Sequence, residues 1–222
     1  MLKIKKSVVI FDVDGTMVDS TDLMVASFGA ALAAEGVKGF DSESDLLPYY
    51  GPDEKGVLRK ILHDAGRGDR AFKTFLKTYE DRHHDLMPHP IDGIPELLRR
   101  LRDRRTLRLA CVTGRSQETL DYTFETFNLA RFFESIQTGS PKGVNKPDSM
   151  RRVFDELGVN HNECVYVGDT VADVNSMRQV GVMTISVCYA HPENRADLER
   201  VNPGLVASSV PELEKLLIAN VR

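Results

Sequence analysis

The sequence predicts an α/β protein, a parallel sheet covered by helices, with a helical segment inserted after the first strand. Two observations carry this. From residue 95 onward, short apolar runs alternate with amphipathic helical patterns, as in repeated strand-helix units. Between residues 17 and 88 the apolar residues recur at helical spacing, and no convincing strand interrupts them.

The elements follow in order. Val8-Val9-Ile10-Phe11 is a fully apolar run and reads as a buried parallel strand. Ser20 or Thr21 is suited to cap a helix over 21–35, with Leu23, Phe28, Ala31 and Leu32 apolar. Helices over 54–65 and 70–86 follow, the latter with Phe72, Phe75, Leu76 and Tyr79 on one side. Beyond the insert the pattern predicts helices over 95–104, 117–128, 149–157, 171–180 and 211–219, and strands over 107–112, 135–138, 164–167, 182–187 and 205–207. Such an insert hangs over the carboxyl ends of the strands, where open parallel sheets hold their ligands.

Composition narrows the function classes. The 222 residues are 41% hydrophobic and 28% charged, ordinary for a globular chain with an ample core. A net charge of −4 argues against general nucleic-acid binding. The arginine-rich stretch at 99–105 reads as the solvated face of a helix whose apolar side is Ile94, Leu97, Leu98 and Leu101. Cys111, Cys164 and Cys188 sit in apolar runs with unrelated spacings, which suggests buried thiols in a reducing cytoplasm. The lysines before the first strand mimic a signal peptide, but Asp12 and Asp14 interrupt the apolar core too early. No stretch is long and apolar enough for a membrane span.

Chemistry gathers at the predicted strand ends. Asp12 and Asp14 stand at i and i+2 after the first strand and project to one side. Two like charges there need a compensating cation. Gly15 permits a sharp turn, and Thr16 adds a hydroxyl. Thr113 ends the second strand and can donate to a phosphate oxygen. Lys146 lies in a loop before the helix expected at 149, with Lys142 a nearby alternative. Asp169 ends a later strand, and Asp173 follows one helical turn on. Asp12, Asp14, Asp169 and Asp173 together suit a hard, oxygen-loving cation such as Mg2+, without all four being direct ligands.

Asp12-Val13-Asp14-Gly15-Thr16, Thr113, Lys146, and Gly168-Asp169 with Asp173 resemble, in order and spacing, the four motifs of the haloacid dehalogenase-like hydrolases. The insert resembles the helical cap of the phosphoglycolate phosphatase and β-phosphoglucomutase branch. The resemblance implies a Rossmann-like three-layer core over 1–16 and 89–222, a cap over 17–88, required magnesium and a phosphoaspartyl intermediate. It implies Asp12 as nucleophile, Asp14 as general acid and base with its carbonyl on the metal, Thr113 and Lys146 on the phosphoryl group, and Asp169 as a metal ligand. Asp173 then either ligates directly or orients a metal-bound water.

Two departures bear on these roles. The third motif reads Lys146-Pro147-Asp148-Ser149 rather than Lys-Pro-x-Pro. Gly114-Arg115 replaces the usual Asn-Lys, and Arg115 either touches substrate or sits on the surface. An acid at Asp14 favours a phosphate ester or anhydride over a carbon-halogen bond in this family. None of Lys38, Lys55, Lys60, Lys73 and Lys77 lies in a motif for Schiff-base phosphonate hydrolysis.

The loop Leu47-Pro48-Tyr49-Tyr50-Gly51-Pro52 resembles the family's specificity loop, so Tyr49, Tyr50, Gly114 and Arg115 are candidate substrate contacts. His83 and His84 are adjacent on a helix and cannot face one ligand, so both are expected to be exposed. The expected function is a magnesium-dependent phosphatase acting on a small phosphorylated metabolite, as a monomer or homodimer. The alternatives are a sugar phosphomutase, weakened because Thr21-Asp22-Leu23-Met24 lacks that group's histidine, and an inactive regulatory relative.

Overall fold

A computed structural model describes residues 6–143 and 146–221. Lys3 and Lys5, which give the N-terminus its likeness to a signal peptide, lie outside the described residues. Six strands form one parallel sheet: β1 (Val8–Phe11), β2 (Arg108–Val112), β3 (Ser135–Gln137), β4 (Cys164–Gly168), β5 (Met183–Val187) and β6 (Val206–Ala207). Their spatial order is β3-β2-β1-β4-β5-β6. The α/β class expected from the sequence is therefore present.

The strands divide their residues by two-residue alternation. Val8 and Ile10 of β1 pack with Ala110, Val112, Cys164 and Tyr166 against α7 (Lys146–Leu157) and α8 (Val171–Gln179). Val9 and Phe11 face the other way, toward α5 (Ile94–Arg102), α6 (Gln117–Phe127) and α10 (Val210–Asn220). Both sheet faces are thus dry, which explains the unbroken apolar runs. On α5, Ile94, Leu97, Leu98 and Leu101 are buried while Arg99 and Arg100 face outward, Arg100 paired with Glu214 at 2.8 Å.

Between β1 and α5 lie four helices: α1 (Thr21–Ala34), α2 (Glu43–Leu46), α3 (Glu54–Leu62) and α4 (Ala65–Leu86). Helix α2 and the short α9 (Arg195–Val201) were not expected, each having one buried apolar residue and hence no readable stripe. Helix α3 ends three residues early because His63 takes a left-handed conformation, φ 51°. Helix α4 then starts five residues before the expected position, at a cap formed by Asp64 on the Arg67 N–H at 2.7 Å. Gly66 and Gly68 weaken the helical signal there. Gly68 is needed for close approach, since a Cβ would come within 2.8 Å of the Arg59 Cα on α3.

His83 corrects an expectation. His84 is exposed, but His83 is 1% exposed and packs by its ring against Tyr79 and Tyr122. Phe72, Phe75, Tyr79 and His83 continue one stripe along α4. Burial, with the nearby Arg115 guanidinium, pulls the His83 imidazole down to about 4.

Between that value and the ordinary ~6.5 of an unfolded histidine, only the unfolded chain binds the proton, so His83 makes the fold less stable as pH falls through this window. In His83→Phe the drop in melting temperature between pH 7 and pH 5 should shrink relative to wild type. Equal drops in a pH-resolved thermal melt would refute this account.

Candidate active site

The chain winds outward from β1 to β2 and β3, then returns to β4 beside β1. Strands β1 and β4 therefore flank the point where the winding reverses, the usual ligand crevice of such sheets. Phe11 pairs with Val167, which brings the residues just beyond both strands side by side. Asp12 follows β1, and its N–H donates to the Val167 carbonyl at 2.9 Å. Thr113 follows β2 and Asp169 follows β4. A cavity of about 340 Å³ at these ends is lined by Asp12, Asp14, Thr113, Lys146, Asp169 and Asp173.

Lys146 resolves the choice of lysine. Its Nζ lies 2.5 Å from both Asp12 Oδ2 and Asp173 Oδ1 and 3.0 Å from the Tyr166 hydroxyl. Lys142 is exposed on a turn. Lys146 is the first residue of α7 rather than a loop residue, because Pro147 is tolerated in a first helical turn. Its charge is strongly retained: burial opposes it, but Asp12 and Asp173 hold its pKa well above the ordinary value.

Each carboxylate has a different environment. Asp12 is raised to about 6 by burial, against the pull of Lys146; its Oδ1 accepts from the Val13 N–H at 2.8 Å. Burial would raise Asp173 too, but Lys146 and Thr170 hold it below the usual range. Its Oδ2 accepts from the Thr170 hydroxyl at 2.6 Å in a capping box that starts α8. Asp169 has no hydrogen-bond donor among the described residues. Burial, then Asp173 and Asp12, push it well above the carboxylate range.

Asp12, Asp169 and Asp173 place one oxygen each within 4.8 Å of one another. An all-oxygen donor set with an unpaired buried carboxylate fits a small divalent cation. Gly15 is required beside it: φ is +65° and a Cβ would overlap the Asp169 carboxylate. The Asp14 carboxylate lies outside this cluster.

Arg115 holds Asp14 instead. Its Nη2 and Nε reach Asp14 at 2.7 and 3.0 Å, and its Nη1 reaches the hydroxyls of Tyr79 at 2.5 Å and Thr123 at 2.8 Å. Arg115 is 1% exposed, which rules out the surface alternative. Ser20 donates to Asp14 as well, rather than capping α1. Burial would raise Asp14, but Arg115 and Ser20 hold it below the ordinary value.

Tyr79, Ser20, Thr123 and Tyr166 were not singled out as site residues. Tyr79 and Tyr166 carry hydroxyls inside buried apolar patterns, which is the signal available in the sequence. Of the loop tyrosines, Tyr50 lines the cavity with Gly114, whereas Tyr49 turns away onto Phe40, ring centroids 5.8 Å apart. The helical segment also docks directly: Glu54 of α3 accepts from the Ser116 N–H at 2.7 Å and the Thr119 hydroxyl at 2.6 Å, at the start of α6.

The model of the haloacid dehalogenase-like hydrolase family matches residues 9–187, which span all of these elements from β1 to β5. This chain belongs to that family. The hydrolase is 27% identical to pyrophosphatase PpaX of Halalkalibacterium halodurans over 92% of its length and 94% of that protein. It is 25% identical to a phosphoglycolate phosphatase of Pseudomonas syringae pv. tomato over 92% of its length and 77% of that protein. Its fold is similar to a predicted phosphatase from Clostridium acetobutylicum, TM-score 0.78 at 23% identity over 97% of this hydrolase and all of the other chain.

Arg115→Ala would leave Asp14, whose side chain is 38% exposed, without its cation, and the buried Tyr79 and Thr123 hydroxyls without the Arg115 donor, a change that costs about 1–3 kcal/mol. Arg115→Lys should recover part of that loss, since it keeps the charge but not the fork. Denaturant unfolding of both variants reads this out. A loss in Arg115→Ala below ~1 kcal/mol, the scale of an exposed pair, would mean that the buried Tyr79 and Thr123 hydroxyls do not depend on Arg115.

Proposed function

We propose that this hydrolase is a magnesium-dependent phosphatase acting on a small phosphorylated metabolite through an aspartyl-phosphate on Asp12. One observation carries the reading: Asp12 faces the cavity with Lys146 on one oxygen and unpaired Asp169 beside it. The relatives named phosphatases and pyrophosphatases support the reaction class. Residues 17–88 act as the cap over this site. The three buried free thiols suit a cytoplasmic setting.

Magnesium would be held by Asp12, Asp169 and the Asp14 carbonyl, with Asp173 steadying Lys146. When bound, it supplies positive charge against the phosphoryl oxygens. An Asp12 oxygen forms a bond to phosphorus as the ester oxygen departs. Lys146 and the Thr113 hydroxyl offset charge on the transferring group. The leaving oxygen takes a proton from Asp14. A water then attacks the phosphoaspartate, Asp14 takes its proton, and inorganic phosphate leaves Asp12 free. Arg115 holds the Asp14 carboxyl below its ordinary value, so to act as the acid Asp14 takes up its proton as substrate binds.

Chelation by EDTA should abolish phosphate release, and added Mg2+ should restore it. Asp12→Asn should fall to background. Asp14→Asn should lose ~10²–10⁴-fold in kcat, the usual worth of general acid-base catalysis. Free phosphate is the expected product; a rearranged sugar phosphate without phosphate release would indicate a mutase. Full activity in Asp12→Asn would sink the mechanism.

A further inference from the structure

The half of the cavity that receives the leaving alcohol has a distinct chemistry. Its walls from the helical segment are Met24, Phe28, Leu47 and Val57, with Tyr50 and Glu43 at the mouth. Leu47 and Tyr50 are 56% and 40% exposed and are two of the three large hydrophobic side chains left exposed among the described residues. Exposed apolar groups gathered at a cavity mark a surface meant to be covered.

Charge is equally one-sided. Among the described residues, six carboxylates line the cavity, Asp12, Asp14, Glu43, Glu54, Asp169 and Asp173, against two cations, Lys146 and Arg115. Both cations are already engaged, Lys146 by Asp12 and Asp173, and Arg115 by Asp14. No lysine or arginine from residues 17–88 lines the cavity among the described residues. Glu54 spends both oxygens on α6. Glu43 has no ion-pair or hydrogen-bonding partner for its side chain among the described residues.

Resting on the phosphatase reading, we infer that this site selects phosphomonoesters of apolar-bodied alcohols that are uncharged or positively charged. It refuses a leaving group with a second anionic function, and Glu43 is the residue that sets this preference. A second anion would lie on apolar walls, beside Glu43, with no unengaged lysine or arginine to pair it among the described residues that line the cavity. Discrimination by an uncompensated charge is an effective way to reject a competitor. Phosphoglycolate and pyrophosphate both carry such a charge, so the preference separates this chain from the activities in its relatives' names.

The test compares kcat/KM, with Mg2+, for phenyl phosphate, O-phosphoethanolamine, phosphoglycolate and pyrophosphate. The first two should exceed the last two by at least ~10-fold, the range that pocket contacts achieve. In Glu43→Lys the ratio of phosphoglycolate to phenyl phosphate should rise by ~10-fold or more, and in Glu43→Gln by less. Wild-type turnover of phosphoglycolate or pyrophosphate equal to that of phenyl phosphate overturns the inference. So does an unmoved ratio in folded Glu43→Lys and Glu43→Gln. Absence of metal-dependent hydrolysis for all four compounds would instead remove the phosphatase reading, and the inference with it.

Discussion

Everything in this structure is arranged around carboxylates that share a small buried volume. Four acids end or follow two neighbouring strands, and burying an unpaired charge costs several kcal/mol. The fold divides the problem. Lys146 lies between Asp12 and Asp173. Arg115 takes Asp14 out of the cluster. Asp169 is left facing the cavity with no protein donor among the described residues. That remainder is what makes the site a place for a cation, and it exists because the two basic residues are committed elsewhere.

The same charges tie the helical segment to the sheet. Arg115 stands at the end of β2, yet its far nitrogen bonds Tyr79 on α4. Glu54 of α3 serves the first turn of α6, which begins directly after Arg115. The Asp14 environment and the seating of α3 and α4 therefore share one network of buried hydrogen bonds. A shift of these helices changes the partners of Arg115, and through it the proton affinity of Asp14.

The acids of the cavity were legible because motif chemistry follows strand ends, and strand ends follow apolar runs. Asp12, Thr113 and Asp169 needed only the sheet to be brought together. Arg115 was left open because a position in a loop does not reveal depth; its burial depends on Tyr79 and Thr123 arriving from two different helices. His83 was misplaced for a more instructive reason. Two adjacent helical residues cannot share a ligand, but that argument does not make both of them exposed. One of any such pair can turn inward, and the stripe of Phe72, Phe75 and Tyr79 shows which. The sequence pattern placed the start of α7 at Ser149, whereas Pro147 in the first turn permits Lys146 itself to begin the helix. That shift matters to function, since it places the lysine on a rigid element rather than on a loop.

The two walls of the cavity are built differently. The acids and Lys146 sit on the ends of buried strands and the first turns of α7 and α8, all inside the span matched by the family model. Their geometry follows from sheet register and helix caps, which tolerate extensive change elsewhere. The opposite wall comes from α1, the short α2 and the loop through Tyr50, which are held to the sheet by few polar contacts. The acids are thus held mainly by the sheet and the first turns of α7 and α8, and the helical segment touches them through Ser20 and through Tyr79 by way of Arg115. Changes in charge and shape on the opposite wall at positions other than these leave the partners of the acids in place.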